Sequence, residues 1–256
     1  MKGTNIMKAV ITGATSGIGR DMAMILAHNG WDLILTGRNK EELEFLKMTL
    51  PVNVETIALD LSKENAPFEL YNFCKGKKTD LLINNAGFGA YGKFSDVDLD
   101  TELEMISVNV RAVHILTKLF LHDFRKRNRG RILNVASVAG LMTGPLMSTY
   151  YATKNYVTRL SLAIAEELRR ENSRVTVSVL CPGPVRTRFN ERAGADFRPS
   201  HTKSYDVAKY ALEQTLQGKK LIIPDNIVKL GIMAAKFVPH EILPAILYEI
   251  QCRRGK

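Results

Sequence analysis

The chain has 256 residues, with 36 Lys and Arg against 26 Asp and Glu, a formal net charge of +10 and a pI near 9.5. With 45% hydrophobic and 24% charged residues and a mean hydropathy of −0.08, it falls outside the disordered, collagen-like and fibrous classes. Its length suits one α/β unit. A short apolar β-type run followed by a stretch of helical periodicity then recurs along the chain. Lys8 to Thr12 is the first strand and Gly17 to His28 the first helix, with Gly30 just past its end. Asp32 to Thr36 is the second strand and Asn39 to Leu50 the second helix, opened by Asn39 as N-cap with Glu42 three residues on. Asn53 to Asp60, Asp80 to Asn84, Arg131 to Ala136, Arg174 to Leu180 and Lys220 to Ile223 complete seven predicted strands. Helical patterns lie at Lys63 to Lys75, Asp100 to Lys126, Ser148 to Glu171 and Tyr205 to Gln217.

Runs such as Leu33-Ile34-Leu35 and Val175 to Leu180 are almost continuously apolar. That pattern belongs to strands covered on both faces, the condition of a parallel sheet. Strict strand–helix alternation predicts a Rossmann-like, doubly wound α/β sheet of seven mainly parallel strands. Its ligands would sit beyond the carboxyl ends of the strands.

Cys74, Cys181 and Cys252 lie far apart and suggest neither a zinc site nor a disulfide framework. The first eight residues lack a signal-peptide pattern, and no apolar run approaches the roughly 18 residues of a membrane span. The expectation is a cytoplasmic protein, with peripheral membrane contact left open. The densest basic run, Arg125 to Arg131, carries no interleaved aromatics. It reads as a helix end whose cations complement the dipole, and no nucleic-acid partner is expected.

At the end of the first strand stand Gly13, Thr15, Ser16, Gly17, Ile18 and Gly19. Glycines there allow a tight turn and bring a diphosphate close to backbone N–H groups at a helix N-terminus; a bare turn is the alternative. The second strand ends in Thr36-Gly37-Arg38 with no carboxylate for an adenosine ribose. Arg38 instead suits a 2′-phosphate through charge-assisted forked hydrogen bonds, which favours NADP(H) over NAD(H); otherwise it only starts a helix in solvent. Asp60 could accept from an adenine amino group, and Asn84 and Asn85 could tie neighbouring loops, or all three could be turn formers.

Taken together, the glycine segment Thr12 to Gly19, the run Asn84-Asn85-Ala86-Gly87, Asn109, Ser137, Tyr150 with Lys154, and Pro182 to Thr187 resemble the classical short-chain dehydrogenase/reductase family. The resemblance covers Lys8 to Pro224, including the 13-residue interval from Ser137 to Tyr150. It implies that Asn109, Ser137, Tyr150 and Lys154 are catalytic. Gly13, Thr15 to Gly19, Arg38, Asp60, Leu61, Asn85, Ala86, Gly87, Tyr150, Lys154, Pro182, Gly183, Val185 and Thr187 would then hold the cofactor.

Tyr150 and Lys154, four apart on a helix, share a face, and an ammonium beside a phenol would lower its pKa so that Tyr150 exchanges a proton with a carbonyl oxygen. The neighbouring Tyr151 has Asn155 at the same spacing, which supplies no charge. Ser137 would hold the substrate oxygen. By the resemblance, Lys154 also bonds the nicotinamide ribose, and Asn109 anchors a water chain to that lysine. An asparagine within a helix otherwise often faces solvent.

The stretch 188–204 reads as a substrate lid, and Phe88, Tyr91, Leu141, Met142, Met147 and Phe189 are candidate pocket residues for a small hydrophobic carbonyl or alcohol. Residues 1–224 form the dinucleotide-binding domain. Residues 225–256 add an apolar helical extension that packs on the core, a partner subunit or a membrane surface. This extension and the Gly87-Phe88-Gly89 loop are similar to a bacterial subgroup related to steroid and long-chain 3-oxoacyl reductases. The resemblance further implies a homo-oligomer, dimer or tetramer. The expected activity is NADP(H)-dependent carbonyl reduction; a non-catalytic NADPH-binding scaffold or redox sensor is the alternative.

Overall fold

The computed structural model describes residues 6–185, 202–235, 237–239 and 241–252. Seven parallel strands form one sheet in the order β3-β2-β1-β4-β5-β6-β7: β1 Lys8–Thr12, β2 Asp32–Gly37, β3 Val54–Ala58, β4 Leu81–Asn84, β5 Arg131–Val135, β6 Thr176–Leu180 and β7 Leu221–Ile222. All seven predicted strands are present. The period-two alternation divides their side chains between two cores. Ala9, Ile11, Leu33, Leu35, Leu81 and Ile83 face α1 (Gly17–His28), α2 (Lys40–Thr49) and α7 (Ser204–Leu216). Val10, Ile34, Leu82, Ile132 and Val177 face α3 (Ala66–Cys74), α5 (Val113–Arg127) and α6 (Ser148–Arg170).

Local chemistry sets the helix ends. Asn39 caps α2 by accepting from the Glu42 N–H at 2.9 Å, and Gly30 adopts φ +76° just beyond α1. The basic run ends α5 as expected, with Asn128 at φ 45°. Arg125 pairs with Glu171 at 2.7 Å and Arg129 with Asp80 at 3.0 Å.

The predicted helix Asp100 to Lys126 is not uniform. It consists of α4 (Leu99–Ile106), a wide π-helical turn over Ser107–Ala112, and then α5. Beyond the sheet, α8 (Asn226–Ala235) and α9 (Leu243–Cys252) are separated by a segment that contains Pro239, and Pro244 lies in the first turn of α9. Ile227, Leu230, Met233 and Ile246 on these two helices are exposed. Among the described residues, no helix is long and apolar enough to cross a membrane.

Candidate active site

A cleft of about 660 Å³ opens along the carboxyl ends of the strands, where the order turns at β1 and β4. Thr12, the last residue of β1, is buried and fixes this corner. Its hydroxyl accepts from the N–H groups of Asn85 (2.9 Å) and Ala86 (3.0 Å), while the Asn85 amide donates to the carbonyls of Thr12 and Gly13. Gly13 follows at φ +64°, and a Cβ there would lie 2.9 Å from the Ala86 Cα. A side chain is thus excluded both by backbone conformation and by space. Ser16 starts α1 in an extended conformation without a side-chain cap, and no acidic residue lies in the first turn. The leading N–H groups of α1 are therefore uncapped beside cleft-lining Ser16, Gly17 and Ile18, an arrangement suited to a phosphate.

Arg38, at the end of β2, and Asp60 and Leu61, after β3, line one end of the cleft together with Thr15. The Asp60 Oδ1 accepts from the Ser62 N–H at 3.0 Å and hydroxyl at 2.8 Å. Burial raises the Asp60 carboxyl pKa, but these hydrogen bonds and the Arg38 charge outweigh it and hold the group below its ordinary value. Glu104 of α4 also lines this end, with its Oε1 3.7 Å from the Arg38 guanidinium. Sequence reasoning did not find Glu104, because nothing in the chain order links α4 to the end of β2.

At the other end, Ser137, Tyr150 and Lys154 meet beside Ala86, Gly87, Pro182, Gly183 and Val185. Ser137 follows β5, and its Oγ accepts from the Ala139 N–H at 3.2 Å. Lys154 is buried, donates to the Val135 carbonyl at 3.0 Å, and has its Nζ 5.9 Å from the Tyr150 ring centroid. Burial lowers the Lys154 ammonium to about 8.

The expected net fall of the Tyr150 pKa toward working pH is not met. Burial dominates and pushes the phenol above its ordinary value, with the Ser137 hydrogen bond opposing it. The phenol is therefore held in its protonated form. Asn155, four residues after Tyr151, holds the carbonyls of Ala139 and Met142 and is a structural clamp.

Asn109 does not face solvent. It sits in the π-helical turn, fully buried, and bonds both ways with Phe88: Oδ1 accepts from its N–H at 3.1 Å and Nδ2 donates to its carbonyl at 2.8 Å. It lies behind the cleft wall rather than in it. A Cβ on Gly87 would fall 2.9 Å from the Asn109 Oδ1 and 3.0 Å from the Lys154 Nζ, so this glycine lets the two buried groups converge.

Other predicted site residues separate. Phe88 and Met147 line the cleft, whereas Tyr91, Leu141 and Met142 do not. Leu141 packs with Val113 and Val157, Met142 flanks the Phe88 cluster, and the Tyr91 hydroxyl donates to the Gln251 carbonyl at 3.1 Å. Gly19 also lies off the cleft and packs against the Asn85 side chain. Thr187, Phe189 and the predicted lid, apart from 202–204, lie outside the described residues. The structure adds Val108, Tyr151 and Gln251 to the wall. Gln251 was missed because a polar residue beside Glu249 in an apolar C-terminal helix reads as part of its solvent face.

A model of the short chain dehydrogenase family matches residues 7–197. The chain is 35% identical over 189 residues to a very-long-chain 3-oxoacyl-CoA reductase from Homo sapiens, covering 71% of this chain and 60% of the relative, so it spans only part of that protein's length. It is 33% identical to Nodulation protein G from Rhizobium sp. (strain N33), covering 72% of this chain and 76% of the relative. Among solved structures, it superposes with a TM-score of 0.82 on a short-chain dehydrogenase from Sphingobium yanoikuyae in complex with NADPH, at 29% identity and covering 90% and 92% of the two chains. A short chain dehydrogenase/reductase from Burkholderia phymatum in complex with NAD also superposes at 0.82, with 26% identity and 91% and 94% coverage.

Proposed function

We propose that this chain, which belongs to the short-chain dehydrogenase family, is an NADP(H)-dependent oxidoreductase that interconverts a hydrophobic ketone or aldehyde with its alcohol. The observation that carries the reading is one continuous cleft with Arg38 at one end and Ser137, Tyr150 and Lys154 at the other. The residues fit a dinucleotide: the uncapped start of α1 lines that cleft, and Arg38 offers a guanidinium that would distinguish the 2′-phosphate of NADPH from NADH. When bound, that cofactor supplies or accepts the hydride.

The remaining steps belong to the protein. Ser137 positions the carbonyl oxygen beside Tyr150. Burial keeps the phenol protonated, so Tyr150 donates that proton to the oxygen as it gains electrons and recovers it in the reverse direction. Lys154 places a buried ammonium next to both groups and stabilises negative charge left on the phenol. Asn109 fixes the Phe88 backbone, and through it one wall of the cleft.

Phe88, Val108, Met147 and Tyr151 make the substrate half predominantly apolar, and the names of the relatives favour a 3-oxoacyl thioester among hydrophobic carbonyls. The apolar outer surface of α8 and α9 supports contact of residues 225–256 with a partner subunit or a membrane surface. No observation favours a non-catalytic scaffold. Purified protein should oxidise NADPH with at least one member of a panel of ketones, 3-oxoacyl thioesters, ketosteroids and aldehydes. Tyr150→Phe should lower kcat by about 10²- to 10⁴-fold while NADPH binding persists. Failure across the panel, or wild-type turnover by Tyr150→Phe, would overturn the reading.

A further inference from the structure

The polarity of α9 is inverted relative to an ordinary packed helix. Ile246 and Ile250 are 44% and 40% exposed, while Gln251 is the residue the helix buries, at 1%. Leu243, Leu247 and Gln251 follow one another at four-residue spacing on the inward face, so the buried stripe ends in an amide exactly where apolar packing would be expected to continue. Gln251 lines the cleft with Met147 and Tyr151.

Its two ends are not equivalent. Nε2 donates to the Tyr151 hydroxyl at 2.7 Å, whereas Oε1 is buried without a hydrogen-bond partner. The backbone is held as well, since the Gln251 carbonyl accepts from Tyr91. A buried amide oxygen with no donor costs about 1–3 kcal/mol, and the surrounding wall of Phe88, Met147 and Tyr150 is an apolar and aromatic cluster.

We propose that Gln251 is a specificity-determining residue, and that the preferred substrate is a hydrophobic carbonyl compound carrying a hydroxyl group away from the reacting carbonyl, which donates to the Gln251 Oε1. This rests on the carbonyl-reductase reading above and narrows its substrate class. Were the amide turned over, Tyr151 would donate to Oε1 and Nε2 would be left over. A hydroxyl satisfies either arrangement because it both donates and accepts. A site built for such a group discriminates against analogues that lack it, since binding them leaves the buried amide unpartnered.

The test compares NADPH oxidation with linear 2-alkanones of graded length against the same ketones bearing a terminal hydroxyl, in wild type, Gln251→Met and Gln251→Leu. At one chain length, wild type should favour the hydroxyketone in kcat/KM by about tenfold or more. Both variants should bring the ratio close to one. A purely structural glutamine would lower thermal stability on substitution and leave the ratio unchanged, and that result overturns the proposal. So does the absence of a preference in wild type at every length. Turnover of the plain ketones reports separately on the reductase reading. If neither series is reduced, that reading fails first, and titration of the hydroxyketones into the wild-type NADPH complex still decides the contact. Binding no tighter than that of the plain ketones overturns it.

Discussion

Gly87→Ala isolates the steric contribution of one residue to the convergence of Asn109 and Lys154. Gly87 is not among the residues with positive φ, so alanine meets no backbone penalty and the perturbation is the methyl group alone. Its carbon would sit 2.9 Å from the Asn109 Oδ1 and 3.0 Å from the Lys154 Nζ, where ordinary contact begins near 3.4 Å. Neither neighbour moves freely: Asn109 is tied to Phe88 and Thr153, and Lys154 to Val135. Overpacking of a rigid interior costs about 1–3 kcal/mol. At about 2–4 °C per kcal/mol for a chain of this size, the unfolding midpoint should fall by roughly 2–12 °C. Displacement of Lys154 by a large part of an ångström should lower kcat by up to about 10²-fold. Thermal unfolding and NADPH oxidation measure the two effects. Gly231→Ala is the control, since its added methyl meets nothing within 4 Å and removes a glycine from α8, which should stabilise by about 0.5–1 kcal/mol. A Gly87→Ala midpoint within a degree of wild type, with kcat within about twofold, would refute the steric argument.

Lys154→Met should be inactive yet more stable than wild type at neutral pH, because a buried ammonium whose pKa is lowered to about 8 destabilises the fold while charged. The sign follows from linkage: between about pH 8 and 10 the unfolded chain binds more protons at this lysine than the folded one, so wild-type stability gains a rising contribution across that window. Urea unfolding at a series of pH values should show that part of the slope lost in Lys154→Met, and an unchanged slope would contradict it. Arg38→Asp should weaken NADPH binding by about 10- to 150-fold, the equivalent of a charged hydrogen bond of roughly 1.5–3 kcal/mol, and affect NADH much less. Equal affinities for the two cofactors in both proteins, measured by titration, would remove Arg38 from the 2′-phosphate site.

Much of this architecture is legible in the sequence because parallel strands must bury both faces, and their apolar runs stand out from helical periodicity. The cap at Asn39 and the glycine after α1 are local signals and appear where their chemistry requires. The π-helical turn at Ser107–Ala112 leaves no such trace: a change in hydrogen-bond register within one helix does not alter composition or apolar spacing. Tyr91, Leu141 and Met142 show a different limit. Apolar character says that a side chain seeks burial, but not whether it finds it in the cleft or against Val113 and Val157. The Tyr150 pKa failed as an expectation for an electrostatic reason. Sequence spacing places the lysine nearby, but only the fold reveals that desolvation dominates and that the Ser137 hydrogen bond is what opposes it.

The spacing of contacts along the chain has a consequence for biogenesis. The nucleotide corner closes through bonds between Thr12 and Asn85, 73 residues apart, whereas the far wall waits for Gln251 to reach Tyr151, 100 residues earlier. Synthesis proceeds from the N-terminus, so both partners of the first contact exist well before Gln251 is made. A domain folds as a unit, and the cleft gains its Gln251 wall only when α9 has been added.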